Sequence, residues 1–344
     1  MSAVLCCLLF AVVVPGLAVA SAGDVRYVAP TKQGTGGGQT ENDAALYTAP
    51  DFWQRVQSSL ARGPVSVRFS GGEYVGGALK LAGIGHPEHR LVIQGHPEGG
   101  TVFRILPEEG QRPSTGLYIS QGSQNITIRD LHFTGRGKVG YITHVEGSRN
   151  ILFASCSWHD LPHITFGATG SAPGMTVTPE NTSLTDTHHI TYKSCTFKRV
   201  GTRGGAHMIY NAYGPRHVYV TDCYFEDCSG DYVRFRDLSD YCVVNGSTFK
   251  STGTYPPGKP VQRPFITMPL FSDANPGDEW FGTHFLISGN TFIYQQPSGM
   301  AGRTGPAVIR FYHKGYDPPG RNHLLTEEEG AILGGRDRRA AKAL

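Results

Sequence analysis

Charge is scarce in this chain: Asp, Glu, Lys and Arg make up 17% of its 344 residues, and the formal net charge is only +3. The basic residues are scattered, so the clustered patch that a nucleic-acid partner needs is missing. No segment after residue 22 is apolar for long enough to span a bilayer. Cysteine is sparse, seven in all, and without a Cys-x-x-Cys pair the spacing of a structural zinc site is absent. Gly34-Thr-Gly-Gly-Gly38 lacks the Lys-Ser/Thr ending of a phosphate-binding loop and runs into no immediate helix, so nucleotide binding is excluded as well.

Turn formers are plentiful: 45 glycines and 22 prolines suit many turns and few long helices. Residues 1–22 carry no charged side chain, and Val4 to Val14 form an apolar run broken by Pro15 and Gly16. Ala18-Val-Ala20 and Ala20-Ser-Ala22 each offer a small-x-small cleavage site, so 1–22 reads as a signal peptide and the protein as secreted or periplasmic, without a basic n-region. Cleavage would leave five cysteines, Cys156, Cys195, Cys223, Cys228 and Cys242, an odd number that cannot all pair within one chain.

A short unit then recurs. His189-Ile-Thr-Tyr-Lys-Ser-Cys-Thr-Phe197, His217-Val-Tyr-Val-Thr-Asp-Cys-Tyr-Phe225 and Tyr241-Cys-Val-Val-Asn-Gly-Ser-Thr-Phe249 share one pattern: two apolar residues two apart, a two-residue break, then a small residue and an aromatic two apart. Asn125 to Phe133, Asn150 to Trp158 and His284 to Phe292 fit it too, so the copies begin 25, 39, 28, 24 and 43 residues apart. Recurrence at that spacing marks a solenoid, and period-two alternation marks strand. Stacked turns would align three ladders: Ile126, Ile151, Ile190, Val218, Cys242, Phe285; Phe133, Trp158, Phe197, Phe225, Phe249, Phe292; and Leu131, Cys156, Cys195, Cys223, Ser247, Asn290. The three ladder cysteines read as reduced packing thiols, though neighbouring turns also lie within disulfide range, as at Cys195 and Cys223.

The pattern resembles the right-handed parallel β-helix of the pectate-lyase-like superfamily, over roughly residues 60 to 315. The expected fold is therefore all-β: a single-stranded right-handed parallel β-helix over 23–316, after the leader and before a tail at 317–344. Asp51 to Leu60, apolar at 52, 53, 56 and 60, is expected to be an amphipathic helix capping the open end. Phe166 to Asp186 and Thr252 to Thr283 are expected as loop insertions, and Leu325 to Leu333 as the start of a short helix with Thr326 as its cap.

A second set of strands precedes most repeats, including Ala206 to Asn211, Asp231 to Asp237 and Ala307 to His313. With Val233 and Phe235 inward, Tyr232, Arg234 and Arg236 face out; aligning Ile209 with Phe235 also exposes Met208 and Tyr210. Two arginines two apart on one strand need an anion between them. Asp231, Asp237 or Asp240 supplies it internally, or a substrate carboxylate does, gripped by the guanidinium fork. The second alternative describes a lyase that cleaves an acidic, uronate-containing polysaccharide by β-elimination. Arg234 and Arg236 would offset the carboxylate, and Tyr210 or His207 would act as base, with Lys193 and Lys198 in reserve. Arg310, Tyr312, Asp237 and Trp280 would add substrate contacts. The resemblance implies calcium in many such lyases, with Glu226, Asp227 and Asp231 as the acids near a turn. The Asn-Thr-Asp, Gly-His-Gly and Arg-Ile-Lys motifs of polygalacturonases and the Arg-x-Pro-x-x-Arg of classical pectate lyases are all absent. A glycan-binding or surface-structural coil without catalysis, a glycoside hydrolase and an epimerase stand beside the lyase as alternatives.

Overall fold

The computed structural model describes residues 23–105, 116–135, 142–161, 167–169, 187–202, 206–258, 263–271, 282–295, 308–314 and 331–334. The leader expected at 1–22 therefore lies outside the described residues. The chain winds as a right-handed parallel β-helix whose strand stacks all pair in parallel. Eleven strands form one long sheet, eight form a second, and two four-stranded stacks make up the third wall. Each turn visits the walls in one order, as in Gln124–Arg129, His132–Gly135 and Thr143–Glu146. Turn length varies, but the hydrogen-bond register does not: Ile126 pairs with Ile151, Ile151 with Ile190 and Ile190 with Val218.

That register assembles the expected ladders. On the second sheet Phe133, Trp158, Phe197, Phe225 and Phe249 are fully buried. Neighbouring rings from Trp158 to Phe249 lie 4.5–4.8 Å apart and within 6° of parallel. Phe292 continues the column at 5.2 Å, and Phe103 and Tyr74 extend it below. Rings stacked at the strand spacing of about 4.8 Å lose apolar surface to water on both faces. All five described cysteines are free and buried. Cys156, Cys195 and Cys223 each direct Sγ at carbonyl oxygens, such as Ile128 O at 3.6 Å from Cys156.

The second residue of the two-residue break in each repeat opens a corner between the first two walls and has positive φ: Asp130, Ser155, Ser194, Asp222, Gly246 and Gly289. The first residue of each repeat is left-handed too: Asn125, Asn150, His189, His217, Tyr241 and His284, with φ between 53° and 59°. Asn, Asp and Gly tolerate this region, whereas the ring-bearing residues hold it against a local cost. Their rings form a second, outer column, with His189–His217 at 4.5 Å, His217–Tyr241 at 5.1 Å and Tyr241–His284 at 4.3 Å.

The N-terminal end is capped as expected. Strand Asp24–Ala29 adds to the long sheet beside Val65–Phe69, and the helix Pro50–Leu60 buries Phe52, Trp53, Val56 and Leu60 over the first turns. The glycine-rich loop is a closed anion nest filled by the protein itself: Gly36 N and Gly37 N donate to Asp43 at 2.9 and 3.0 Å. Three expectations are corrected. Ile266–Phe271, inside the second presumed insertion, is a strand of the third wall, pairing with Val233–Phe235 and Ile309–Lys314. Ala331–Gly334 is a strand on Phe285–Ser288 rather than part of a helix, because a long-sheet edge there accepts one more parallel partner. Strand Gly167–Thr169 likewise lies within the first insertion.

Phe225→Ala, which removes one ring from mid-column, is expected to cost about 3–5 kcal/mol in chemical denaturation. Acid should also loosen the coil. Burial and the Arg216 charge hold His189 below its usual value, and burial followed by the neighbouring His189 charge does the same for His217. The unfolded chain therefore binds protons more readily than the folded one, so this stability is fully present above about pH 6.5 and is lost as pH falls from there through the lowered folded values. Thermal midpoints between pH 7.5 and 5.5 should drop less in a His189→Asn, His217→Asn variant, since Asn already occupies this corner in two other turns.

Candidate functional site

The upper half of the third wall carries the candidate site. Its inward column is Ile209, Val233, Ile266 and Ile309, and its outward column is Tyr210, Arg234, Thr267 and Arg310. Ile209 thus pairs with Val233, not with Phe235, whose partner is Asn211. A two-residue shift preserves alternation, so Tyr210 keeps its outward register position. Thr267 comes from the strand unrecognised in the sequence and separates Arg234 from Arg310 by a further turn.

Burial departs from expectation. Met208 and Tyr232, expected outside, are 0% and 1% exposed, because strict alternation begins only where the strands do. Tyr232 packs edge-on against Phe265 at 4.8 Å and donates its hydroxyl to Lys250 O at 2.9 Å. Tyr210 is only 7% exposed and stacks on His207, itself 5% exposed, at 5.2 Å and 19°.

Arg234 does not reach into solvent. Its guanidinium turns back on Asp231: Nε donates to Oδ2 at 2.8 Å, Nη2 donates to the same oxygen, and Thr267 Oγ1 adds a third bond at 2.8 Å. Of the two sources of counter-charge weighed above, the internal one is therefore realised at Arg234. His207 Nδ1 lies 3.7 Å from that oxygen and makes no hydrogen bond among the described residues. Burial, with Arg234 adding to it, pushes His207 down to about 3, so its ring is neutral at ordinary pH. Arg236 is half-buried; its Nη1 donates to Tyr210 Oη at 3.1 Å, and its guanidinium lies 5.9 Å from the Tyr213 ring. With an arginine donating to the phenol oxygen, the hydroxyl proton is directed elsewhere. The same cation can offset charge that develops on that oxygen during proton transfer.

The remaining expected residues divide. Arg310 is exposed two turns above Tyr210's neighbour, and Tyr312 is in register with Pro269. Asp237 is buried two residues past the end of strand Val233–Phe235, where its carbonyl accepts Gly214 N at 2.8 Å. Trp280 lies outside the described residues. Lys193 and Lys198 belong to other walls: Lys193 is in register with Thr221 on the long sheet, and Lys198 with Glu226 on the second, its Nζ 4.9 Å from the Tyr224 ring. Neither is placed to serve Tyr210, since one turn carries the chain around three walls. The calcium set does not converge either. Glu226 accepts from Tyr224 at 2.5 Å and lies 3.5 Å from Lys250, Asp227 accepts from Thr252 N at 2.8 Å, and Asp231 holds Arg234.

Sequence reasoning missed Thr267 and a second polar group on the lower half of the same wall. There Tyr118 donates to Glu146, and its ring lies 5.2 Å from that of His144. Tyr118 is pushed up to about 12, by burial and then by the Glu146 carboxylate. Alternation along Tyr141 to Val145 already placed His144 opposite the buried Val145.

No family model matches the chain, and no curated protein matches its sequence. Among solved structures, a rhamnogalacturonan lyase aligns with 88% of this chain and 90% of its own, at 10% identity and TM-score 0.46. An alginate lyase from a Paenibacillus species covers 70% of this chain and 95% of its own, at 11% identity and TM-score 0.38. The A-module of a mannuronan C-5 epimerase from Azotobacter vinelandii covers 78% and 95%, at 11% identity and TM-score 0.24.

Arg234→Ala should strand Asp231 beside the core. With both side chains only 10–12% exposed, a loss of about 2–4 kcal/mol is expected in denaturant titration. Asp231→Asn in the Arg234→Ala background should recover part of it in a double-mutant cycle.

Proposed function

We propose that the protein is an exported carbohydrate-active protein that cleaves an acidic, uronate-containing polysaccharide by β-elimination on the outer face of the third wall. Residues 1–22 serve as the leader, and the coil that follows, through the strand Ala331–Gly334, carries the site. The observation that carries this is the Arg236–Tyr210–His207 group: a phenol held by a guanidinium and stacked on a neutral imidazole, on a face bearing the exposed Arg310. Elimination requires a base to take the proton at C5 as the C4–O bond breaks and the C4–C5 double bond forms. Tyr210 is assigned both proton transfers: as the phenolate it takes the C5 proton, and as the phenol so formed it gives that proton to the departing C4 oxygen, with neutral His207 beside it as the alternative base. Arg236 stabilises the Tyr210 phenolate before the transfer and offsets the negative charge that grows at the substrate carboxylate during it, and Arg310 contacts a neighbouring sugar acid. Arg234, tied to Asp231, positions His207 and Tyr210 rather than gripping substrate.

The near-complete burial of Tyr210 and His207 favours a second reading, glycan binding without turnover. One assay separates the two. Alginate, pectate, glucuronan and glycosaminoglycans are offered in turn. A lyase generates unsaturated ends that absorb in the ultraviolet, a hydrolase only reducing ends, and a binder neither. On the polymer that is cleaved, Tyr210→Phe should lower kcat by about 10²–10⁴-fold, the span of a lost general acid–base group, with little change in thermal midpoint. Unchanged turnover in that variant would remove Tyr210 from the mechanism.

A further inference from the structure

At the capped end, far along the chain from Tyr210, His86, Glu88 and His89 bring their ligand atoms within 4.8 Å of one another. We propose that these three residues bind a divalent transition-metal cation of the zinc, copper or nickel class, and that the cation clamps the capping helix to the first turns of the coil. Two imidazoles and one carboxylate are the donor set such ions prefer, whereas calcium and magnesium favour oxygen alone.

The second observation is the state of His89. Its Nδ1 lies 2.7 Å from Leu60 O, near the end of the capping helix. A carbonyl only accepts, so Nδ1 carries the proton and Nε2 presents its lone pair, the arrangement that metal-bound histidines adopt. The loop is also held in place beforehand. Gln57 on the helix bonds Gly85 twice, receiving its N–H at 2.8 Å and donating to its carbonyl at 3.0 Å. Asn125 donates to His86 O at 3.3 Å.

Loading has a definite cost. His86 Nδ1 accepts from Glu88 N at 3.2 Å and His89 N at 3.3 Å, two long bonds that ligation weakens or replaces. Tetrahedral zinc holds its ligand atoms about 3.3 Å apart, so the group must contract by up to about 1.5 Å. Glu88 is exposed and free of the core, so it takes up most of that movement. A water completes the fourth position.

Calorimetric titration of the full chain with zinc should show one saturable site, and the thermal midpoint should rise with zinc concentration, because the folded chain, with the loop pinned by Gln57 and the His89 ring oriented by Leu60 O, binds the ion more tightly than the unfolded one. Copper(II) loaded at one equivalent should give nitrogen hyperfine structure in its paramagnetic resonance spectrum. Glu88→Gln, which leaves the fold untouched at an exposed position, should weaken zinc at least tenfold; the His86→Gln, His89→Gln double variant should lose both the heat and the midpoint shift. Zinc binding that survives the double variant, or no saturable binding below 100 Kd of a weak millimolar site (on the order of 0.1 M zinc), overturns the proposal. These outcomes do not involve Tyr210, so they stand or fall apart from polysaccharide cleavage.

Discussion

Everything in this molecule depends on one constraint: each turn hands its backbone hydrogen bonds to the next in fixed parallel register. A residue that enters the core at one turn must therefore be matched above and below by residues of compatible shape, which is why the column from Tyr74 to Phe292 is aromatic throughout. The same constraint aligns backbone conformation. Left-handed residues recur at matching positions, whether Asn, His or Tyr occupies them, because the corner geometry is shared and the side chain must comply. Outward positions are less constrained by the core columns, so they vary from turn to turn, and chemistry can be written there without disturbing the core.

What the sequence made legible follows from this. Phe197, Phe225 and Phe249 could be aligned because the segment joining the first two walls has constant length, so a fixed nine-residue unit survives at the level of letters. The third wall was harder. Ile266–Phe271 lies inside a long proline-bearing segment, far from any copy of the unit, so its alternation had nothing to be aligned with. Met208 and Tyr232 were placed outside by carrying period two past the strand ends, where the chain is still turning inward. Alternation puts Arg234 and Arg236 on one face, and the demand for a nearby anion is met internally at Arg234. Only coordinates could show that Asp231, three residues back, closes on the first while the second reaches the phenol on the preceding turn.

The electrostatics of the site follow from burial more than from net charge. Asp231, Arg234 and Thr267 form a closed group whose hydrogen bonds are made within the coil, and His207 beside them is kept neutral. Such a group is costly to break and holds its neighbours rigidly, which favours a preorganised face over a mobile one. Glu226, Asp227 and Asp231, close in sequence, are each drawn to different partners by the turning of the chain. Closeness along the sequence is thus a poor guide to convergence in a coil, whereas separation by one turn is a good one.

The corners have a consequence for how such a protein can change over generations. From Asp130-Leu131 to Gly289-Asn290, every link between the first two walls is two residues long, while the links flanking the third wall range from the two residues between Glu146 and Arg149 to stretches such as 252–265. Loss of a single residue at a corner would rotate all that follows in that turn and set an aromatic against water. Insertions beside the third wall alter no register at all. Heritable length variation is therefore channelled to the rim of one face, so that a lineage can exchange what surrounds Tyr210 and Arg310 while inheriting the coil intact.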